Sequence, residues 1–384
     1  MIVDTTIYLD HGATSWPKPE YVYQKGIEYW KQFGANPGRG SYSLAHQTHK
    51  MIEETRWRVA RLFNLEAPEQ VIFTLNATDS LNIAIKGIMK TGDLVAISPL
   101  EHNAVARPLE ALKTKGVRYE ILPHNQTGKL EVAEVEKWLI SNRPALCVLN
   151  HCSNVNGTLQ PLKELAPLFQ KYQIPLMIDA AQSAGTIPIN FKETPVTAMA
   201  ISAHKALQGP TGVGLLLLGS KTTPLRTLKE GGTGSFSEDL NHPTRLPDHF
   251  EAGTLNVMGI AFLKAALEHL QQVGFETVFA RKKELSQMLY HGLSRLPKIQ
   301  IWGDPDLGVL SVRVEGFSGP HEISEILSQS FQIATRSGLH CAPLAHQTLK
   351  TFPLGTVRLT PGFTNSLHDI ERTLDAFNEI VKEI

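Results

Sequence analysis

The sequence predicts an α/β protein: a large domain built on a mainly parallel sheet, followed by a smaller α+β domain. Three observations carry that prediction. From about residue 76 to 218, short apolar runs alternate with amphipathic stretches, the pattern of β-α units packed into one sheet. Past Gly253, two long amphipathic segments follow each other with no strand between them. The 384 residues are also enough chain to bury one large core and a smaller one beside it.

Taken in order, strands are expected at 94–98, 145–150, 175–178, 198–202 and 213–218, each about strand length. Between them, stretches such as 162–172 carry apolar residues at helical spacing, so helices are expected on both sheet faces. Helices over 257–273 and 275–296 then open the second part. Strands at 308–314, 333–335 and 356–359 and a helix over 366–381 complete it. The resulting division is a large domain over 16–256 and a small one over 257–384, with residues 1–15 packing near the small one.

Composition narrows the partners. Lys plus Arg and Asp plus Glu each total 37, so no basic field attracts nucleic acid. No apolar run approaches the roughly 20 residues of a spanning helix, and the start of the chain lacks a signal pattern, so a cytoplasmic protein without a membrane partner is expected. Cys147, Cys152 and Cys341 are too few for a disulfide framework and show no CxxC spacing, so reduced thiols and no metal centre are expected.

The chemistry-bearing residues fall at strand ends. Asp179 closes the apolar run of PLMIDAAQSAG, at the carboxyl edge where open α/β sheets bind ligands. The next strand runs into Ser202-Ala203-His204-Lys205, and GPTGVG then turns the chain into LLLLG. A lysine and an acid at neighbouring strand ends are the pair that pyridoxal 5′-phosphate needs: an amine to carry the aldehyde, and a carboxylate against the ring nitrogen. Either residue alone reads as a helix cap or a solvated loop lysine. His102 follows another strand and could stack on a planar ring. Thr78, in NATDS ahead of an amphipathic stretch, lies at a helix start suited to a phosphate, and Asn154 could reach a ring oxygen. A plain N-cap and ordinary turn chemistry explain those two equally well.

A second constellation lies in RSGLHCAP, where Cys341 sits in a polar loop close to Arg336 and His340, neighbours that favour a thiolate nucleophile. Cys147, inside ALCVLN, reads as inert, and Cys152 as structural. Arg358, alone on the apolar strand TVRLT, reads as a clamp for a carboxylate, or else as half of a structural ion pair. GGTGSFS, residues 231–237, lacks the Lys-Ser/Thr pair of a phosphate loop and reads as a mobile loop.

In this order, YLDHGATSWPKP, EHNAV, SNVNGT, IDAAQSAG, SAHK, GPTGVG, FEAGTLN, RSGLHCAP and VRLTPGFTN resemble the class V aminotransferase-like enzymes, specifically the cysteine desulfurase and selenocysteine lyase group. The resemblance spans nearly the whole chain. It implies the fold type I of pyridoxal-phosphate-dependent transferases and that cofactor on Lys205. It also implies Asp179 at the ring nitrogen, His102 on the ring face, and Gln182 and Asn154 near the ring hydroxyl. Thr78, Ser202 and His204 would hold the phosphate, with Thr254 reaching the phosphate of the other subunit of a homodimer. Arg358, with Arg336 and Asn154, would bind the substrate, and Cys341 would take its sulfur as a persulfide. The loop RSGLHCAP is most like the Suf-type group. The implied reaction converts L-cysteine to L-alanine and passes sulfur to an acceptor protein. A selenocysteine lyase, a cysteine or cystine β-lyase, a transaminase and a non-catalytic scaffold stay open as alternatives. Three departures, the extra residue in KALQGP, Ala77 in place of a hydroxyl residue, and GGTGSFS as the mark of a less characterised branch, bear on the acceptor and the substrate.

Overall fold

The computed structural model describes residues 6–38, 40–220, 225–235 and 237–383. Phe236, inside the loop expected at 231–237, and residues 1–5 of the expected leading segment lie outside them.

The large sheet is built from β2 (Val71–Thr74), β3 (Leu94–Ile97), β4 (Arg118–Ile121), β5 (Leu146–Asn150), β6 (Leu176–Asp179), β7 (Ala198–Ser202) and β8 (Gly214–Leu218), after a short β1 (Ile7–Tyr8) placed elsewhere. Its order is β2-β8-β7-β6-β5-β3-β4, and β8 alone runs against the rest. The connection from β7 to β8 is too short for a crossover, which forces that reversal. Strands β5 to β8 are buried at every residue, as a sheet covered on both faces requires. Successive residues alternate sides. Cys147 and Leu149 join one core with the helices Ser43–Leu62, Leu162–Lys171 and Val257–Val273. Leu146 and Val148 join the other with Ala77–Ile88 and Asn103–Leu112.

The second sheet is antiparallel. It contains β9 (Ile299–Asp304), β10 (Val309–Val314), β12 (Arg336–Gly338) and β13 (Thr356–Leu359) in the order β12-β13-β10-β9, while β11 (Ile333–Ala334) pairs in parallel with β1. Leu310, Val312, Val357 and Leu359 face a core shared with the helices Phe275–Leu293, Pro320–Phe331 and Leu367–Lys382. Alternation therefore turns Ser311, Arg336 and Arg358 to the opposite face, toward the strand ends of the large sheet, where the Ser311 hydroxyl donates to the Val155 carbonyl (2.7 Å).

Several elements depart from the sequence expectations. Strands β2, β4, β9 and β12 and the helices Glu20–Phe33 and Ser43–Leu62 were not singled out. Strand β4 alternates charged and apolar residues but is a four-residue, mostly exposed edge strand, and β12 is three residues ending in glycine, so neither forms an apolar run. The helix Val257–Val273 packs into the large sheet's core while Phe275–Leu293 packs on the small sheet. We accordingly propose a division of the chain near Gly274, with residues 6–15 beside the small sheet.

Candidate active site

Strand ends converge on one place. Asp179, the last residue of β6, is 3 % exposed and accepts from the Ala181 N–H (2.9 Å) and from the Asn150 side chain. Burial holds its carboxyl above the ordinary carboxylate range, and Ala181, Lys205 and Asn150 oppose that rise. Lys205 lies three residues past β7. Its carbonyl is held by the Ser15 hydroxyl (2.9 Å) and the Gln208 N–H (2.9 Å), while its Nζ has no hydrogen-bond partner among the described residues. Burial pushes the amine down to about 8 against the pull of Asp179. A half-buried lysine short of partners beside a buried carboxylate is a poor stability device and a good reactive one.

His102 follows β3 and caps the helix Asn103–Leu112, its Nδ1 accepting from the Ala104 N–H (3.0 Å). That contact assigns the ring proton to Nε2 and fixes the ring's orientation. Burial and the nearby Lys205, Arg336 and Arg358 charges push it down to about 4, so it is neutral at pH 7.

Asn76 caps the next helix, Ala77–Ile88, accepting from the Asp79 N–H (3.0 Å), and the Ser202 hydroxyl accepts from Ala77 N–H (3.1 Å). Thr78 is exposed beside that junction. Gly214 is required there, since a Cβ on it would collide with the Asn76 backbone. His204, pushed by burial down to about 4, leaves Nδ1 without a partner. Gln182 donates to the Gly12 carbonyl (2.8 Å). Thr254 is exposed and makes no hydrogen bond to any of these residues.

The small sheet closes the site from above. Arg336 and Arg358 stand directly opposite across β12 and β13, an unfavourable pairing of like charges unless an anion lies between them. Arg358 is 1 % exposed. It donates to the Asn154 carbonyl (3.1 Å) and to the Asp10 carboxylate, and its Nε has no partner. Gly12 lies flat against it: a Cβ there would sit 3.1 Å from Arg358 Cζ. Arg336 Nη2 donates to Cys341 Sγ (3.2 Å), and Cys341 is exposed while Cys147 and Cys152 are buried. His340 and Cys341 both adopt the left-handed region, φ 48 and 59, a costly backbone for two consecutive non-glycine residues. It is held by Asn154 Nδ2 on the His340 carbonyl (2.8 Å), the Asn103 N–H on the Cys341 carbonyl (2.7 Å), and His340 Nε2 against Thr356 Oγ1 (3.1 Å).

Asp179, Lys205, His102, Arg336, Arg358 and Cys341 thus lie close enough to act on one another's charge. A groove of about 920 Å³ opens elsewhere, past His151, Ile187 and Trp302, and holds none of them. Sequence reasoning missed Asp10, whose only signal is its place after β1. It named Glu101 without giving it a role. The site fits a pyridoxal phosphate on three observations: the buried Asp179, which makes no ion-pair contact among the described residues, Lys205 Nζ without a hydrogen bond, and buried polar atoms without a partner there on Asn154, tied to the His340 carbonyl, and on His204, next to Lys205 in the chain.

Comparison with known proteins bears on this geometry. The family model for aminotransferase class V matches residues 7–373. A probable cysteine desulfurase of Pyrococcus abyssi is 32% identical, covering 100% of this chain and 96% of its own. One from Methanothermobacter thermautotrophicus is 30% identical, with 97% and 94% covered. The apo structure of a cysteine desulfurase from Thermococcus onnurineus NA1 superposes with a TM-score of 0.89 at 31% identity, covering 99% of this chain and 95% of that one.

Proposed function

The chain belongs to the class V aminotransferase family, and on that premise we propose that it is a pyridoxal 5′-phosphate-dependent cysteine desulfurase, converting L-cysteine to L-alanine with a persulfide left on Cys341. Relatives and solved structures named as cysteine desulfurases over nearly the full length support the activity. The observation that carries the chemistry is that a half-buried amine, a buried carboxylate and an exposed thiol share one electrostatic neighbourhood.

Lys205 would carry the cofactor, Asp179 hold its ring nitrogen, and His102 lie on its face. Thr78, Ser202 and His204 would take the phosphate, and Gln182 and Asn154 the ring oxygen. When bound, the group supplies an electron sink at the substrate α-carbon.

The rest is done by the chain's own side chains. Arg336 and Arg358 bind the substrate carboxylate, a second anion beside Asp10 that offsets the opposition of the two guanidiniums. The Lys205 amine, lowered toward neutrality by burial, takes and returns the α-proton. Cys341 Sγ attacks the substrate sulfur: an S–S bond forms, the Cβ–S bond breaks, and the carbon takes a proton to complete alanine. The exposed persulfide then passes to an acceptor protein. Exposed Thr254 and the exposed apolar residues Ile27, Trp30 and Met258 support a homodimer with Thr254 serving the partner's site. Three free thiols support a reducing, cytoplasmic setting. The test is product analysis with L-cysteine: alanine that disappears in Cys341→Ser supports the desulfurase, and pyruvate made equally well by that variant contradicts it.

A further inference from the structure

Two side chains, Glu101 and Asn150, stand beside Asp179 at the strand ends. Glu101 follows β3, Asn150 ends β5 and Asp179 ends β6, and these strands are immediate neighbours with Asn150 in register with Asp179. Glu101 is fully buried. Its Oε1 accepts from the Ser98 hydroxyl (2.5 Å) and the Asn150 N–H (2.7 Å), but Oε2 has no partner among the described residues. Asn150 Oδ1, also buried, has none either. A bare buried acceptor is costly, and since the Glu101 carboxylate already takes the Asn150 N–H, one proton shared between Oε2 and Asn150 Oδ1 would satisfy both.

We infer that Glu101 carries a proton on Oε2 and donates it to Asn150 Oδ1, which turns the Asn150 amide N–H toward Asp179 and keeps Asp179 the one ionised carboxylate at the base of the site. The titratable groups facing Glu101 are Asp179 from β6 and the Cys147 thiol from β5, with Lys205 beyond Asp179, so no cation pairs with it directly. Burial and the Asp179 charge push its carboxyl up to about 8, in keeping with a neutral acid. The Asn150 side chain favours the ionised form of Asp179. Were Glu101 ionised too, two like charges would share a buried site, and Asp179 would take up the proton instead. Glu101 is thus a positioning residue acting through Asn150. The consequence for the cofactor rests on the function proposed above, whereas the proton on Glu101 does not.

The test is the infrared spectrum of the purified protein at pH 7, with and without added pyridoxal 5′-phosphate. A carboxylic-acid C=O band is expected, and it should vanish in Glu101→Gln, a near-isosteric change whose folding is checked by circular dichroism. The absence of that band, or its survival in Glu101→Gln, overturns the inference. In Asn150→Leu, cofactor affinity measured by absorbance should fall about tenfold. An unchanged affinity overturns the link to Asp179. A protein that takes up no pyridoxal phosphate at all contradicts the proposed function, while the band still decides the state of Glu101.

Discussion

Asp179 and Lys205 stand at the ends of neighbouring strands buried along their whole length, whereas Cys341 is exposed on a loop between a three-residue strand and a six-residue helix. The two halves solve opposite problems. An amine near neutrality and a carboxylate aimed at a ring nitrogen both need a dry, rigid surround. A thiol that must hand on its cargo needs solvent. Its position is therefore fixed by hydrogen bonds to carbonyls and by a costly backbone rather than by packing.

Breaking the buried half should have the largest effect. Lys205→Ala should abolish the cofactor's visible absorbance and lower alanine production by about 10²–10⁴-fold. Residual turnover at the wild-type level would remove Lys205 from the chemistry. Breaking the exposed half separates the two: Cys341→Ala should retain the absorbance band and lose alanine formation. Loss of the band in that variant would mean that the halves are not distinct.

A pH titration of stability sharpens the contrast. His11, His102, His151, His204 and His346 are pushed by burial from 6.5 to about 4. Between those values the unfolded chain binds protons that the folded one refuses, so stability falls as pH drops below 6.5, by on the order of several kcal/mol in total. Glu101 acts in reverse. Raised from 4.5 to about 8, it binds a proton in the fold that the unfolded chain has lost, so stability also falls as pH rises toward 8. Urea midpoints across pH should trace both limbs, and Glu101→Gln should flatten the fall between pH 6.5 and 8. The smallest effect is expected from Asn154→Ala. It frees the His340 carbonyl and should cost about 1 kcal/mol in urea unfolding while slowing turnover. A silent variant would show that the loop needs no such tie.

The buried half was the more legible in the sequence. Asp179 and Lys205 close apolar runs, so their place at the sheet edge follows from the pattern alone. Arg358 was legible as a lone charge on an apolar strand, but not its opposition to Arg336, because Arg336-Ser337-Gly338 lacks the residues that mark a strand. Asp10 contacts Arg358 across 348 residues, a distance that no local pattern spans. The helix Val257–Val273 is amphipathic by sequence, yet the pattern names a buried face without naming the sheet it meets. Glu101 and Asn150 were readable as residues, whereas their unpartnered oxygens exist only in the assembled strand ends.

The central claim is that the exposed thiol takes sulfur prepared in the buried half. Purified protein incubated with L-cysteine and analysed by mass spectrometry without reductant tests it directly. A Cys341 peptide heavier by one sulfur atom is expected, formed with alanine and absent in Lys205→Ala. Alanine released with Cys341 unmodified in every turnover would contradict it.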